Sequence, residues 1–401
     1  MTTEDKFGWL SDSRLQAVFS ALHTDGEARL VGGCVRDSLL GLQPLEQKDI
    51  DIDIATTLNP EEMSVAFERA GIRWVATGAK HGTLTAVIGG LVCECTSLRS
   101  DVETDGRHAA VAFTRDWDLD WRRRDFTINA LYADRHGSVW DPTSGLEDLK
   151  EQRVRFIGIA RDRIREDALR ILRFFRFSAR FGERFDDQAL SAIAEETSLI
   201  DLLSKERIWS EFSRLLPAAG APMALGAAAR AGVLRFIVDQ EPDLKAFAHV
   251  HKRKPMSVVL GIAALWPQLT NTDLRAAFKP SLDFLNGYRS LEKAVDSVAR
   301  GATAVQLLYR FGRDTALDAL ELASARGKTF DQSIADQVRT TEAPVLPLSG
   351  KDLVKGGIPP GEQVGAILRA FEEAWLQMDA PQDPDVLQGL LNTVLSRQAT
   401  G

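Results

Sequence analysis

Residues 48–56 read Lys-Asp-Ile-Asp-Ile-Asp-Ile-Ala-Thr, and no other stretch of the 401-residue chain restricts its fold so tightly. Strand side chains alternate faces, so Asp49, Asp51 and Asp53 fall on one side and Ile50, Ile52 and Ile54 on the other. Residues two apart lie roughly 6.5–7 Å apart at Cα, so two neighbouring carboxylates can converge on one cation. Asp is depleted in strands and like charges on one face repel. An ordinary half-exposed strand would carry Thr, Lys or mixed charge there instead. Oxygen-only ligands suit a hard cation of the Mg²⁺ type, completed by water and substrate phosphates. The spacing leaves open which two of the three aspartates form the pair.

About fifteen residues earlier, Val31-Gly32-Gly33-Cys34-Val35-Arg36-Asp37 ends a short apolar run and opens a helix. Two glycines admit a ligand close to the backbone, and helix N-terminal amides attract phosphate. Arg36 adds a bidentate donor. A phosphate cradle beside a dicarboxylate strand is the arrangement that nucleotidyl transfer needs.

These two stretches resemble the GGxVRD and DxDIAT signatures of the tRNA nucleotidyltransferase / bacterial poly(A) polymerase family. Counting back from Ile54-Ala55-Thr56, the resemblance places the metal pair on Asp51 and Asp53. The extra Asp-Ile before it keeps Asp49 with Asp51 as a second register. Further on, Glu94-Cys95-Thr96 and Arg99 are similar to the family's EVTTFR strand, and Glu94 is a candidate third carboxylate. The run from Arg123 to Ala130 matches RRDFTxNA, and Glu166-Asp167-Ala168-Leu169-Arg170 matches the EDxxR element of the class II branch. The likeness spans about residues 30–182 in order.

Residues 153–184 hold ten Arg, no Lys and four acids, a local charge of +6 in a chain of net charge −8. Arg170, Arg173, Arg176 and Arg180 recur at helical spacing, with Leu172, Phe175 and Ala179 on a neighbouring stripe suited to packing. Side-by-side arginines repel unless an anion offsets them. Asp167 and Arg170, one helical step apart, pair an acceptor with a donor. Cytosine and adenine both present an amine beside an acceptor, so one such pair can read either base. The resemblance makes Asp167 and Arg170 readers of the incoming base. It makes Arg173 and Arg176 triphosphate contacts, with Gly33, Arg36 and Arg124, and gives Arg123 a helping place.

Short strands at 28–31, 50–54, 72–76, 82–88 and 91–96 alternate with helices at 35–40 and from Pro60 to about Ala70. From Asp162 onward the pattern is helical. The expected fold is α+β: a nucleotidyltransferase-type mixed-sheet head over 1–148, then a helical neck (149–215), body (216–345) and tail (346–401). The sequence is 44% hydrophobic and 26% charged, which excludes a disordered or fibrous chain. No apolar run is long enough to span a membrane, and the polar start MTTEDKFGWL does not read as a signal peptide. Cys34, Cys93 and Cys95 make no disulfide framework and fit a reducing, cytoplasmic compartment. His249-Val250-His251 reads as basic surface. Leu348 to Gly361 resembles a C-terminal element that lies toward tRNA.

The resemblance thus implies template-independent, Mg²⁺-dependent addition of CCA to the tRNA 3′ end from CTP and ATP, with no obligate protein partner. Poly(A) synthesis, CC- or A-only addition, and an inactive RNA-binding scaffold are the competing readings. The absent His-Asp dipeptide disfavours a phosphohydrolase.

Overall fold

The computed structural model describes residues 6–46, 51–78, 82–102, 110–253 and 255–399. The chain divides into two compact units, residues 1–203 with 218–236 and residues 204–217 with 237–401.

The first unit is built on a sheet of seven strands: β1 (Ala28–Val31), β2 (Ile52–Thr56), β3 (Arg73–Gly78), β4 (Thr83–Ile88), β5 (Leu91–Ser97), β8 (Tyr132–Ala133) and β9 (Val139–Trp140). Their order is β3-β4-β5-β2-β1-β8-β9. Arg99–Val102 (β6) and Ala110–Phe113 (β7) form a separate hairpin. The central strand β2 runs parallel to β5 and antiparallel to β1, which makes the sheet mixed as expected. Ile52 and Ile54 are buried, Asp53 is half-buried and Asp51, just ahead of the strand, is exposed. The period-2 reading therefore holds over 51–54. Asp49 lies outside the described residues.

The helices of this unit are α1 (Ser13–Leu22), α2 (Gly33–Leu39), α3 (Pro60–Arg69), α4 (Trp117–Arg122), α5 (Gly145–Lys150), α6 (Ala160–Glu166), α7 (Leu169–Phe181) and α8 (Asp187–Glu196), with Ala221–Arg230 from its second segment. Helix α1 buries Leu15, Val18, Phe19 and Leu22 completely. Helix α3 starts at Asn59 in a capping box: the Asn59 carboxamide accepts from Glu62 N and the Glu62 carboxylate from Asn59 N, both at 2.9 Å. Such a cap contributes about 1 kcal/mol. On α7, Leu172, Phe175 and Ala179 are buried, as their spacing required. Phe174 and Phe177 of this helix pack into an aromatic nest with Phe126 and Phe156, ring centroids 4.9–6.3 Å apart. That nest fixes the basic helix to the segment after α4.

The described part of the second unit contains helices and no strand. Its aromatic core joins Trp209, Phe212, Trp266 and Phe278. A smaller core gathers Leu353, Ile367, Phe371 and Trp375, with Tyr309 edge-on to Trp375 at 5.4 Å. His251 is buried against Phe247 rather than exposed, so only His249 of that pair belongs to the surface. Ser349 and Asp352 form a capping box at the start of Gly350–Lys355, which explains the Ser-Gly-Lys-Asp sequence locally. Among the described residues no helix is long and apolar enough to cross a membrane.

Candidate active site

Register sets the site. Asp53 of β2 stands opposite Glu94 of β5, and Ala55 stands opposite Arg29 of β1. Asp53, Glu94, Ala55, Arg29, Val31 and Tyr132 therefore share one sheet face. Farther along that face Val31, Ala55, Leu98 and Tyr132 form a small core under the half-buried Trp117, Trp121 and Trp140. At the open end the carboxylates remain. Burial raises the Asp53 carboxyl, the nearby Glu94 and Asp51 raise it further, and Arg124 and Arg36 oppose, leaving it at about 7. The same strand is backed by Cys34, whose buried thiol lies 3.7 Å from the Asp53 carbonyl and is pushed up to about 12 by burial.

This donor set fits a hard divalent ion. Asp53 is held far above its ordinary range by burial first and then by the neighbouring Glu94 and Asp51, a negative environment that a bound cation would offset. Among the described residues no three His, Cys, Asp or Glu side chains come close enough to cage an ion alone. That suits an ion held by one or two carboxylates plus water and phosphate oxygens.

The turn before α2 is conformationally demanding. Gly32 has φ 72° and ψ −123°, a combination natural to glycine. Gly33 begins the helix, two residues earlier than the sequence pattern suggested. A Cβ there would meet only the Arg36 guanidinium, at 3.7 Å, so nothing in the protein itself requires glycine at that position.

The arginines are more firmly tied down than the sequence implied. Arg36 is 4% exposed; it donates to Asp37 Oδ1 at 2.9 Å and Asn129 Oδ1 at 2.6 Å, and lies 4.1 Å over the Phe181 ring. Arg124 donates to Asp120 Oδ2 at 2.8 Å and to the Tyr132 hydroxyl at 2.9 Å. Arg123 takes the other oxygen of Asp120. Burial opposes ionisation of Asp120, but Arg124 and Arg123 outweigh it and hold the carboxyl at about 2. Arg173 pairs with Asp125 at 2.7 Å, and Arg180 with Asp37 at 3.1 Å. Arg176 stands 4.1 Å over the Phe177 ring and bears electrostatically on Arg36.

Asp167 departs from the expected geometry. Helix α6 stops at Glu166, and Asp167 has extended dihedrals, φ −152° and ψ 105°. Its Oδ1 accepts from Leu169 N at 3.0 Å, so it caps α7 instead of continuing a helix. Asp side chains compete for backbone amides in this way, which is why they favour caps. Arg170, on α7, donates to Glu166 at 2.6 Å and to the carbonyls of Arg163 and Arg123 at 2.8 and 3.1 Å. Arg163 in turn donates to the carbonyls of Arg123 and Arg124 at 2.6 and 2.8 Å. The Asp167–Arg170 corner is thereby fastened to the Arg123-Arg124 segment.

Sequence reasoning gave no role to Asp37, Asp120, Asp125 or Asn129, all buried. Their signal was present but unread: each sits within or beside an arginine-bearing motif, where a buried acid is the natural anchor for a guanidinium.

A sequence-family model described as "Poly A polymerase head domain" matches residues 28–155. The chain is 34% identical over 406 residues to "CCA tRNA nucleotidyltransferase 1, mitochondrial" of Danio rerio, covering 93% of this chain and 92% of the relative. It is 31% identical to a "CCA-adding enzyme" of Lactobacillus delbrueckii subsp. bulgaricus over 86% of this chain and 88% of that one. Among solved structures it resembles the Bacillus stearothermophilus CCA-adding enzyme in complex with CTP, with TM-score 0.79, 26% identity, and coverage of 97% and 98%. Nucleotidyltransferases of this kind work with a divalent metal. Likeness along nearly the whole length, in sequence and in fold, means that the chain belongs to the CCA-adding tRNA nucleotidyltransferases.

Proposed function

We propose that this protein completes the 3′-CCA end of tRNA from CTP and ATP, without a nucleic-acid template. The tRNA 3′-hydroxyl attacks the α-phosphorus in line. A new O–P bond forms, the bond to the β-phosphate bridge breaks, pyrophosphate leaves and the hydroxyl proton is released. Asp51 and Asp53 would hold the divalent ion, which we take to be Mg²⁺. When bound it favours the alkoxide and offsets charge on the phosphates. Gly33, Arg36, Arg124, Arg173 and Arg176 receive the triphosphate, Gly33 by allowing the chain close to its oxygens. Asp167 and Arg170 read the amine-and-acceptor edge common to cytosine and adenine. The helices after about residue 183 grip tRNA through backbone and shape, with salt-sensitive affinity. Three buried, unpaired cysteines suit a reducing compartment, which we take to be the cytoplasm. Related chains from animals carry mitochondrial names.

The observation that supports this reading is that Glu94 stands opposite Asp53 in the sheet while Asp51, Arg124 and Arg36 all bear electrostatically on the Asp53 carboxyl. The test incubates the protein with Mg²⁺ and labelled CTP or ATP, using tRNA transcripts that lack CCA, end in CC, or are complete. Addition of C, C and A followed by arrest is expected. Long A tails would turn the reading toward poly(A) synthesis, and no incorporation would reduce the protein to a binding scaffold.

A further inference from the structure

Beneath the arginines, side chains from three separate stretches are joined end to end. Arg173 donates to Asp125 Oδ2 at 2.7 Å. Asp125 Oδ1 accepts from Asn129 Nδ2 at 3.1 Å. Asn129 Oδ1 accepts from Arg36 Nη1 at 2.6 Å. Arg36 Nε donates to Asp37 Oδ1 at 2.9 Å, and Asp37 Oδ2 accepts from Arg180 at 3.1 Å. Every inner member is buried: Asp125 and Asn129 are 8% and 7% exposed, Arg36 and Asp37 4% and 2%.

Asn129 is the joint of this chain. Its carboxamide accepts from a guanidinium on one side and donates to a carboxylate on the other. An Asp in its place would only accept and a Lys would only donate. Water is largely excluded, so each of these bonds is stronger than at the surface and each orphaned partner more costly.

We infer that Asn129 is a positioning residue for nucleotide binding, holding Arg36 of α2 and Arg173 of α7 at a fixed separation so that both meet one triphosphate. This inference rests on the proposed function, which gives those two arginines the phosphates. Losing the amide loosens both at once: Arg36 keeps Asp37 but loses its Nη1 acceptor, and Asp125 keeps the Phe126 amide but loses the side-chain donor that helps hold it, and with it Arg173, in place. The effect belongs to nucleotide affinity, since Asn129 sits under the arginines and not beside the reacting atoms.

Steady-state kinetics at saturating tRNA tests this. Asn129→Ala is expected to raise KM for CTP and for ATP together by about ten- to hundredfold, the range for a lost hydrogen bond to a charged group. Its kcat should stay within about threefold of wild type. Thr127→Val is the structural control, because it removes another buried hydrogen bond in the same segment, from Thr127 to Asp148 at 2.6 Å, off the chain. It should lower Tm and leave both KM values in place. In an Arg173→Gln background the effect of Asn129→Ala should shrink to the part that acts through Arg36, because coupled residues are not additive. If Asn129→Ala does not fold, Asn129→Ser, too short to span both partners, carries the same test. Wild-type KM values in a folded Asn129 variant, or full additivity with Arg173→Gln, would overturn the inference. Failure of the wild-type protein to add C and A at all would instead overturn the proposed function.

Discussion

Replacing Asp120 by Asn keeps the side chain's shape and removes its charge. The wild-type carboxylate, 1% exposed, accepts from both Arg123 and Arg124 and from the Tyr132 hydroxyl. Its drop from 3.8 to about 2 corresponds to about 2.5 kcal/mol favouring the folded, ionised state. Removing one member of a fully buried ion pair costs about 3–5 kcal/mol. Arg123 and Arg124 keep 15% and 19% of their side chains exposed, which moderates that figure. Asp120→Asn is therefore expected to destabilise the first unit by about 2–4 kcal/mol at neutral pH. Urea unfolding followed by tryptophan fluorescence reads this, because Trp117 and Trp140 lie 5.7 and 5.1 Å from the Tyr132 ring. The folded carboxyl titrates below its unfolded value, so its stabilisation is fully present above about pH 4 and is lost as pH falls toward about 2. The wild-type-minus-variant difference should follow that window. A difference under about 0.5 kcal/mol, the scale of an ordinary surface substitution, or one that does not change between pH 5 and pH 2, would refute the reasoning.

Two further outcomes are expected. A Cβ at Gly145 would lie 2.3 Å from the Thr127 carbonyl oxygen, so Gly145→Ala must displace backbone and should lower Tm by several degrees, measured by thermal melting. Because burial and neighbouring carboxylates hold Asp53 at about 7 in the ion-free protein, protons compete with a divalent ion below that pH. Calorimetric affinity for Mn²⁺ should weaken by about tenfold per unit from pH 7 downward, and an affinity unchanged between pH 6 and pH 8 would exclude Asp53 as a ligand.

The elements that were legible in the sequence are those governed by local rules. Alternation at 51–54, the glycine turn at Gly32 and the helix opening at Pro60 each follow from one residue's neighbours along the chain. The arginine row on α7 was legible as a face but not in its partners. Arg173 and Arg180 find acids 48 and 143 residues away, and no spacing rule encodes such a pairing. The row accordingly looked like four charges waiting for an anion, whereas Arg170, Arg173 and Arg180 are already matched to Glu166, Asp125 and Asp37. Asp167 read as helical because its helix-breaking preference is weaker than the strong pattern on both sides. The tryptophan cover over Val31 and Ala55 carried no periodic signal, since Trp117, Trp121 and Trp140 come from a short helix and a two-residue strand.

The most direct test of the carboxylate site is CMP incorporation into tRNA lacking CCA by Asp53→Asn, with CTP binding and Tm measured on the same preparation. The substitution relieves like-charge repulsion on the sheet face, so Tm should equal or exceed wild type in the absence of metal. Incorporation should fall by about a thousandfold or more while CTP still binds, as expected when a group stabilising transition-state charge is lost. A rate within about threefold of wild type, or a loss traced to unfolding, would contradict the account.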